Sequence, residues 1–287
     1  MKSSTKRVTA PSIYSRKGSK QKISALTAYD YTMAKLLDAA GVDILLVGDS
    51  LGTVIQGHDT TLPVTLDEVI YHSRCVTRGV ERALVVADLP FMSYQISIEK
   101  AVESACRLLK ESGVSAVKLE GGEFISKTVK RLVEIDIPVM GHIGLTPQSY
   151  HRMGGNKIQG STNDGVAGSR DQILRDAIAL EHAGVFAMVI EGVPAELAAD
   201  VTSMVSVPTI GIGAGPSCDG QILVTQDMLG MIPDFAPKFV KRYANLSQTI
   251  DQAVKSYIDE VSSSNFPGDE HSFVSKGPDL KLAKKVS

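Results

Sequence analysis

Residues 41–50 read Gly41-Val42-Asp43-Ile44-Leu45-Leu46-Val47-Gly48-Asp49-Ser50. Ile44 to Val47 form an unbroken apolar run, as expected of a strand covered on both faces rather than one that alternates between core and water. The run ends at Gly48, expected to let the chain turn, and then presents an acid and a hydroxyl, Asp49 and Ser50. An acid at the rim of a core is costly unless it is paired, hydrated or bound to a cation. Whether Asp49 stands alone therefore decides how the stretch is read.

Similar runs recur at 23–26, 84–87, 116–119, 139–143, 186–190, 209–212 and, least regularly, 222–224. Between them lie helical spacings. One is written by Ile98, Ala101, Val102, Ala105, Leu108 and Leu109, another by Ile173, Leu174, Ala177 and Ile178. A last helix is written by Leu246, Ile250, Ala253, Val254, Tyr257, Ile258 and Val261. Gly41, Gly113 and Gly184 sit where helix C-caps feed strands, and Asp30 sits where an N-cap would precede Met33 and Ala34. Parallel strands alternating with helices over roughly 220 residues, with no linker, favour a (β/α)8 TIM barrel over a doubly wound sheet. Residues 22–261 are assigned to this single catalytic barrel and 1–21 to a leading segment. Residues 262–287, rich in Ser, Gly, Pro and Lys, are expected to be extended or mobile. The polar, Gly-rich connection 142–169 reads as a functional loop or lid.

Composition narrows the function. A net charge of −2 over 287 residues gives no electrostatic case for nucleic acid or an anionic membrane as partner. Trp is absent, which argues against a base- or sugar-stacking surface. Cys75, Cys106 and Cys218 are odd in number and far apart, so neither a disulfide framework nor a CxxC knuckle is written, and a reducing, cytoplasmic setting is expected. The basic N-terminus lacks an apolar h-region, and no apolar run approaches membrane-spanning length.

Put to every strand, the question raised by Asp49 has a common answer. The run 84–87 is followed by Asp88, 116–119 carries Lys118 and is followed by Glu120, 139–143 carries His142, and 186–190 is followed by Glu191. In a parallel barrel all these ends share the C-terminal face, where active sites are found. Any single strand-end acid could cap the next helix; Asp49, Asp88, Glu120 and Glu191 together are harder to explain that way. Carboxylates that converge repel one another unless a cation or protons intervene. Oxygen donors without a Cys or His cluster suit a hard ion such as Mg2+. Lys118, between Val117 and Leu119, is expected to point into the barrel mouth. Gly211-Ile-Gly-Ala-Gly215 is a poor dinucleotide fingerprint, because Pro216 stands where the third glycine belongs.

The blocks GDSLGTVIQGHDTTLPVTLDE, VVADLPFMSY, AVKLEGGE, PVMGHIGLTPQS, IEGVPAELA, IGIGAGPSCDGQILV and FPGDEHSF resemble the ketopantoate hydroxymethyltransferase family from about Ser24 to Phe273. The resemblance implies a barrel of the phosphoenolpyruvate/pyruvate superfamily type, a homodecamer, and transfer of a hydroxymethyl unit from 5,10-methylenetetrahydrofolate to 3-methyl-2-oxobutanoate. It implies Asp49 and Asp88 as Mg2+ ligands with Glu120 as the associated acid, Ser50 and Lys118 as oxo-acid-binding residues, and Glu191 as proton acceptor. His142 is left between a substrate contact, a partner of Glu120 and a satisfied rim histidine. Two rivals share the same residues: a Mg2+-dependent lyase or mutase of the superfamily, and a non-catalytic oxo-acid-binding barrel. The first is weakened by Met140 in VMGH, where such lyases carry a cysteine. The second has no use for a base at Glu191. The folate pocket is not marked by any spacing.

Overall fold

A computed structural model of the chain describes residues 6–161, 168–233 and 237–274. Eight strands close into a barrel in sequence order: β1 (Ile23–Thr27), β2 (Ile44–Val47), β3 (Leu84–Asp88), β4 (Ala116–Glu120), β5 (Val139–Gly144), β6 (Ala187–Glu191), β7 (Thr209–Ile212) and β8 (Gly220–Leu223). Every neighbouring pair is parallel, and β8 returns to β1 through Ala25 opposite Ile222. The (β/α)8 architecture expected from the apolar runs is the one formed.

The near-continuous runs have a simple cause. Successive side chains on a strand point to opposite faces, and here both faces are buried. Ile44, Leu46, Leu84, Val86, Ala116, Met140, Ala187 and Val189 pack together inside the barrel. Leu45, Val47, Val85, Ala87, Val117 and Leu119 pack outward against the helices. The N-terminal mouth is plugged by the short helix Ala10–Tyr14, whose Ala10 and Ile13 join the inner cluster. That helix is opened by a capping box between Thr9 and Ser12. Asp30 caps Tyr31–Ala39 by accepting from the Met33 amide at 2.8 Å, and Gly184 caps Arg170–Ala183 in the left-handed region at φ 93°.

Two elements depart from expectation. The run expected at 222–224 forms β8 two residues earlier, because Gly220, which reads as a turn residue, lies where β8 closes onto β1. A Cβ there would fall 2.5 Å from the Ile23 carbonyl oxygen, so only glycine permits the approach. The helix Leu246–Ser262 has the expected bounds but no buried residue, and Val254, Tyr257 and Ile258 are each at least half exposed. Within the 142–169 connection, β5 runs on to Gly144, followed by a 3-10 turn Pro147–Ser149 and a short helix Tyr150–Met153. Positions 162–167 of that connection, and 275–287 of the expected tail, lie outside the described residues.

Candidate active site

The alternation that builds the barrel also delivers the site. Leu84 and Val86 face inward, so Asp88 at the end of β3 does too; Ala116 faces inward, and Lys118 and Glu120 follow it at intervals of two. By the same count Met140 leads to His142 on β5, and Ala187 and Val189 lead to Glu191 on β6. Register places Asp88 beside Lys118, Glu120 beside His142, and Glu191 beside Gly144. Asp49 and Ser50 follow β2 after the single residue Gly48. All seven expected residues (Asp49, Ser50, Asp88, Lys118, Glu120, His142 and Glu191) line one cavity of about 100 Å³ at the C-terminal face, floored by apolar Leu46, Val189, Ile212 and Ile222.

Gly48 owes its place to crowding. It is absent from the positive-φ glycines, but a Cβ on it would lie 2.7 Å from Ser50 Oγ and 3.4 Å from Asp88 Oδ2. With no side chain there, the Asp49 amide donates to Asp88 Oδ2 at 3.0 Å. Ser50 Oγ meets the buried Tyr29 hydroxyl at 2.8 Å.

Lys118 Nζ lies 2.9 Å from Asp88 Oδ1 and 3.2 Å from His142 Nδ1. Although close to Lys118, Asp88 Oδ1 receives no well-aligned hydrogen bond. His142 Nδ1 is 3.6 Å from Glu120 Oε1, and its Nε2 is 3.1 Å from Glu191 Oε2, near enough for an ion pair though out of line for a hydrogen bond. His142 thus touches both acids, and of the readings left open for it the partner of Glu120 is one that the geometry provides.

Four carboxylates face one lysine and one histidine, and the balance shows in their protonation. Burial, then Glu120 and Asp88, push Asp49 well above the usual carboxylate range, against Lys118 and Gln148. Burial raises Asp88 even though Lys118 opposes it. Glu120 goes the other way: burial would raise it, but His142 and Lys118 hold it down. Burial and Lys118 disfavour a charged His142, yet Glu120 and Glu191 outweigh them and lift it to about 9. Lys118 is raised, its burial overcome by Asp88, Glu120 and Asp49.

This excess of buried carboxylate is the condition a cation relieves. Among the described residues no group of three or more His, Cys, Asp or Glu forms a ready-made metal cage. Mg2+ is ordinarily held by one or two carboxylates with the remaining positions left to water and substrate oxygens, and Asp49 and Asp88, which line the same cavity, are donors of that type. The residues present fit such an ion.

Three contributors carried no signal of their own. Tyr29 precedes Asp30 and reads as a core aromatic; Tyr94 and Gln148 stand in loops where a polar side chain normally faces water. Here all three are buried at the site. Only their presence inside the quoted blocks VVADLPFMSY and PVMGHIGLTPQS, for Tyr94 and Gln148, could have drawn attention to them.

Fold and site together define a class: a (β/α)8 enzyme whose C-terminal rim gathers acids, a lysine and a histidine over a small apolar floor. Similar solved structures include a phosphonopyruvate hydrolase in complex with oxalate and Mg2+ (12% identity, TM-score 0.58, 92% of this chain and 93% of that one). A 2,3-dimethylmalate lyase of the PEP mutase/isocitrate lyase superfamily is also similar, at 15% identity and TM-score 0.57 over 92% and 91%. At these identities the likeness is one of fold. The particular family comes from sequence: the model of the ketopantoate hydroxymethyltransferase family matches residues 7–269, and the chain belongs to that family. Relatives named 3-methyl-2-oxobutanoate hydroxymethyltransferase include one from Pelobacter propionicus, 53% identical over 93% of this chain and 98% of that protein. Another, from Syntrophus aciditrophicus, is 54% identical over 94% and 97%.

Proposed function

We propose that the chain transfers a hydroxymethyl unit from 5,10-methylenetetrahydrofolate to 3-methyl-2-oxobutanoate, giving 2-dehydropantoate for pantothenate synthesis in the cytoplasm. The observation that carries the mechanistic reading is a division among the acids. Asp49, Asp88 and Glu120 are buried together, with 3–4% exposure. Glu191 stands apart on β6, its side chain 17% exposed and its Oε2 beside His142.

In this reading Asp49 and Asp88 hold Mg2+, with Glu120 beside them. When bound, the ion supplies Lewis-acid stabilisation of negative charge on the substrate's carboxylate and keto oxygens. Lys118 adds a fixed positive charge at the same oxygens, and Ser50, oriented by Tyr29, donates a hydrogen bond to the carboxylate. The branched alkyl end lies over Leu46, Val189, Ile212 and Ile222. Glu191 removes the proton from C3, and His142, whose Nε2 lies 3.1 Å from Glu191 Oε2, holds it in place. C3 then bonds to the methylene carbon, water supplies the hydroxyl oxygen, and both C–N bonds of that carbon break, so that tetrahydrofolate leaves with one proton from C3 and one from the water.

Homo-oligomerisation, as in the homodecamer implied by resemblance, is supported by the uncovered apolar stripe Ile250, Val254, Tyr257, Ile258 and Val261 on Leu246–Ser262. The mass of the protein in solution tests it.

The mechanism is tested by Glu191→Gln in D2O. Deuterium incorporation at C3 should fall by about 10²–10⁴-fold, the usual cost of losing a positioned base, while Mg2+ and oxo acid still bind. Wild-type exchange in that variant would remove Glu191 from the role.

A further inference from the structure

Each of the three buried acids has one oxygen tied to a fixed N–H. Asp88 Oδ2 accepts from the Asp49 amide at 3.0 Å. Asp49 Oδ2 accepts from Gln148 Nε2 at 2.8 Å, and Glu120 Oε2 accepts from the Gln148 backbone amide at 2.9 Å. Two of these three ties come from one residue, and that residue lies on neither β2 nor β4 but in the 3-10 turn after β5.

The bonding capacity of Gln148 is fully used, which makes its orientation unambiguous. Its Nε2 also donates to the Leu89 carbonyl at 3.0 Å. A carbonyl only accepts, so the amide nitrogen must face Leu89, and its second N–H is then aimed at Asp49. On the other side Oε1 accepts from Gln95 Nε2 at 2.9 Å and lies 2.9 Å from the Tyr94 hydroxyl. Tyr94 has one proton to share between Gln148 Oε1 and the Glu120 carbonyl at 2.8 Å, so Gln95 is the constant donor.

We propose that Gln148 is a positioning residue: it ties back one oxygen each of Asp49 and Glu120 and so turns their remaining oxygens, Oδ1 and Oε1, toward the cavity to receive a divalent cation. The inference rests on the cation reading of the site given above. A turn that merely closed β5 onto the rim would need the backbone bond to Glu120 but not a side-chain amide with every donor and acceptor engaged. Fixed outer partners of this kind typically contribute about 10–100-fold to metal affinity.

The test is a Mn2+ titration of the full chain, followed by electron paramagnetic resonance of the free ion, with and without 3-methyl-2-oxobutanoate. Gln148→Leu keeps the volume and the backbone N–H but removes the amide. It should bind Mn2+ about 10–100-fold more weakly than wild type, and added Mn2+ should recover part of the lost kcat. Gln95→Ala, at an exposed position, removes the donor to Gln148 Oε1, together with a long 3.4 Å bond from the Tyr94 amide, and should weaken Mn2+ binding less, in the same direction. If wild type binds Mn2+ and folded Gln148→Leu binds it equally well, the assignment to Gln148 is overturned while the cation reading stands. If wild type itself fails to bind Mn2+, the cation reading fails and takes the inference with it. Should Gln148→Leu not fold, Gln95→Ala decides: weaker binding supports the positioning role, and unchanged binding overturns it.

Discussion

Strand β2 is flanked by two buried acids, Asp43 below it and Asp49 above it, and the two are treated in opposite ways. Asp43 accepts from the Ser24 amide and hydroxyl at 3.1 and 3.0 Å and pairs with Arg82 and Arg16, each at 3.0 Å. Burial would raise it, but the Ser24 amide and the two guanidinium groups hold it below its ordinary value. Asp219, below β8, repeats the arrangement with Lys17, Gly18 and Thr209 and is likewise lowered. Asp49 has acids for neighbours and is raised. The lower rim neutralises its acids within the chain, whereas the upper rim leaves a charge debt for a ligand to settle. In barrels of this kind stability is built at one end and chemistry at the other.

The contrast is broken most sharply by Asp43→Ala. Removing one partner of a buried pair typically costs about 3–5 kcal/mol, and because Arg16 and Arg82 both keep some contact with water the lower end, about 3 kcal/mol, is expected. Urea unfolding measures it. Activity per folded molecule should be unchanged, since Asp43 lies at the face away from the cavity. A loss of activity with unchanged stability would mean that the two rims are not separate in role.

Asp49→Asn should do the reverse. An amide in place of the carboxylate removes a charge repelled by Glu120 and Asp88, and its oxygen can still accept from Gln148. Without added metal at neutral pH the variant should be as stable as wild type or more so, by up to about 1 kcal/mol, as at sites where function is held at the expense of stability. Its requirement for Mg2+ in turnover should rise steeply. Clear destabilisation of the metal-free variant would place Asp49 with Asp43 as a structural acid.

How far each rim was legible in the sequence follows from the same physics. Asp49, Asp88, Glu120 and Glu191 stood out because each stands at the end of an apolar run; period-two alternation carries Asp88, Glu120 and Glu191 to the inner face, whereas Asp49, out of phase with inward Leu46, reaches the cavity through the turn after Gly48. Asp43 has the same kind of position, one residue before the run, but an acid following a helix and preceding a strand reads as a solvated loop residue. Its partners Arg16 and Arg82 are remote in sequence, so only the closed barrel discloses the pairing. Gln148 was illegible for a related reason: its role depends on where a loop folds back, which no periodicity records. The stripe on Leu246–Ser262 gave the helix its bounds correctly. It left open what would cover that face, because amphipathicity is the same whether the cover is the chain's own barrel or another molecule.

The smallest effect expected is also the most direct comparison of the two rims, through pH. For Asp43 and Asp219 the folded pKa is lowered, so their contribution is present above the unfolded value near 3.9 and is lost as pH falls through the folded one. For Asp49 and Asp88 the folded pKa is raised, so between about 3.9 and that higher value the folded state holds protons that the unfolded state has released. Their contribution therefore makes the metal-free protein less stable as pH rises through that window. A divalent cation competes with those protons and binds better as they leave. The rise in Tm on adding Mg2+ should accordingly grow as pH is raised through the window in which these acids lose their protons, and Asp49→Asn should flatten that dependence whereas Asp43→Ala should leave it intact. Calorimetry in buffers of differing ionisation enthalpy would show the same event as proton release on Mg2+ binding. A Tm increment independent of pH would mean that the upper acids are already ionised without the metal, and that the rims differ in their neighbours but not in their charge.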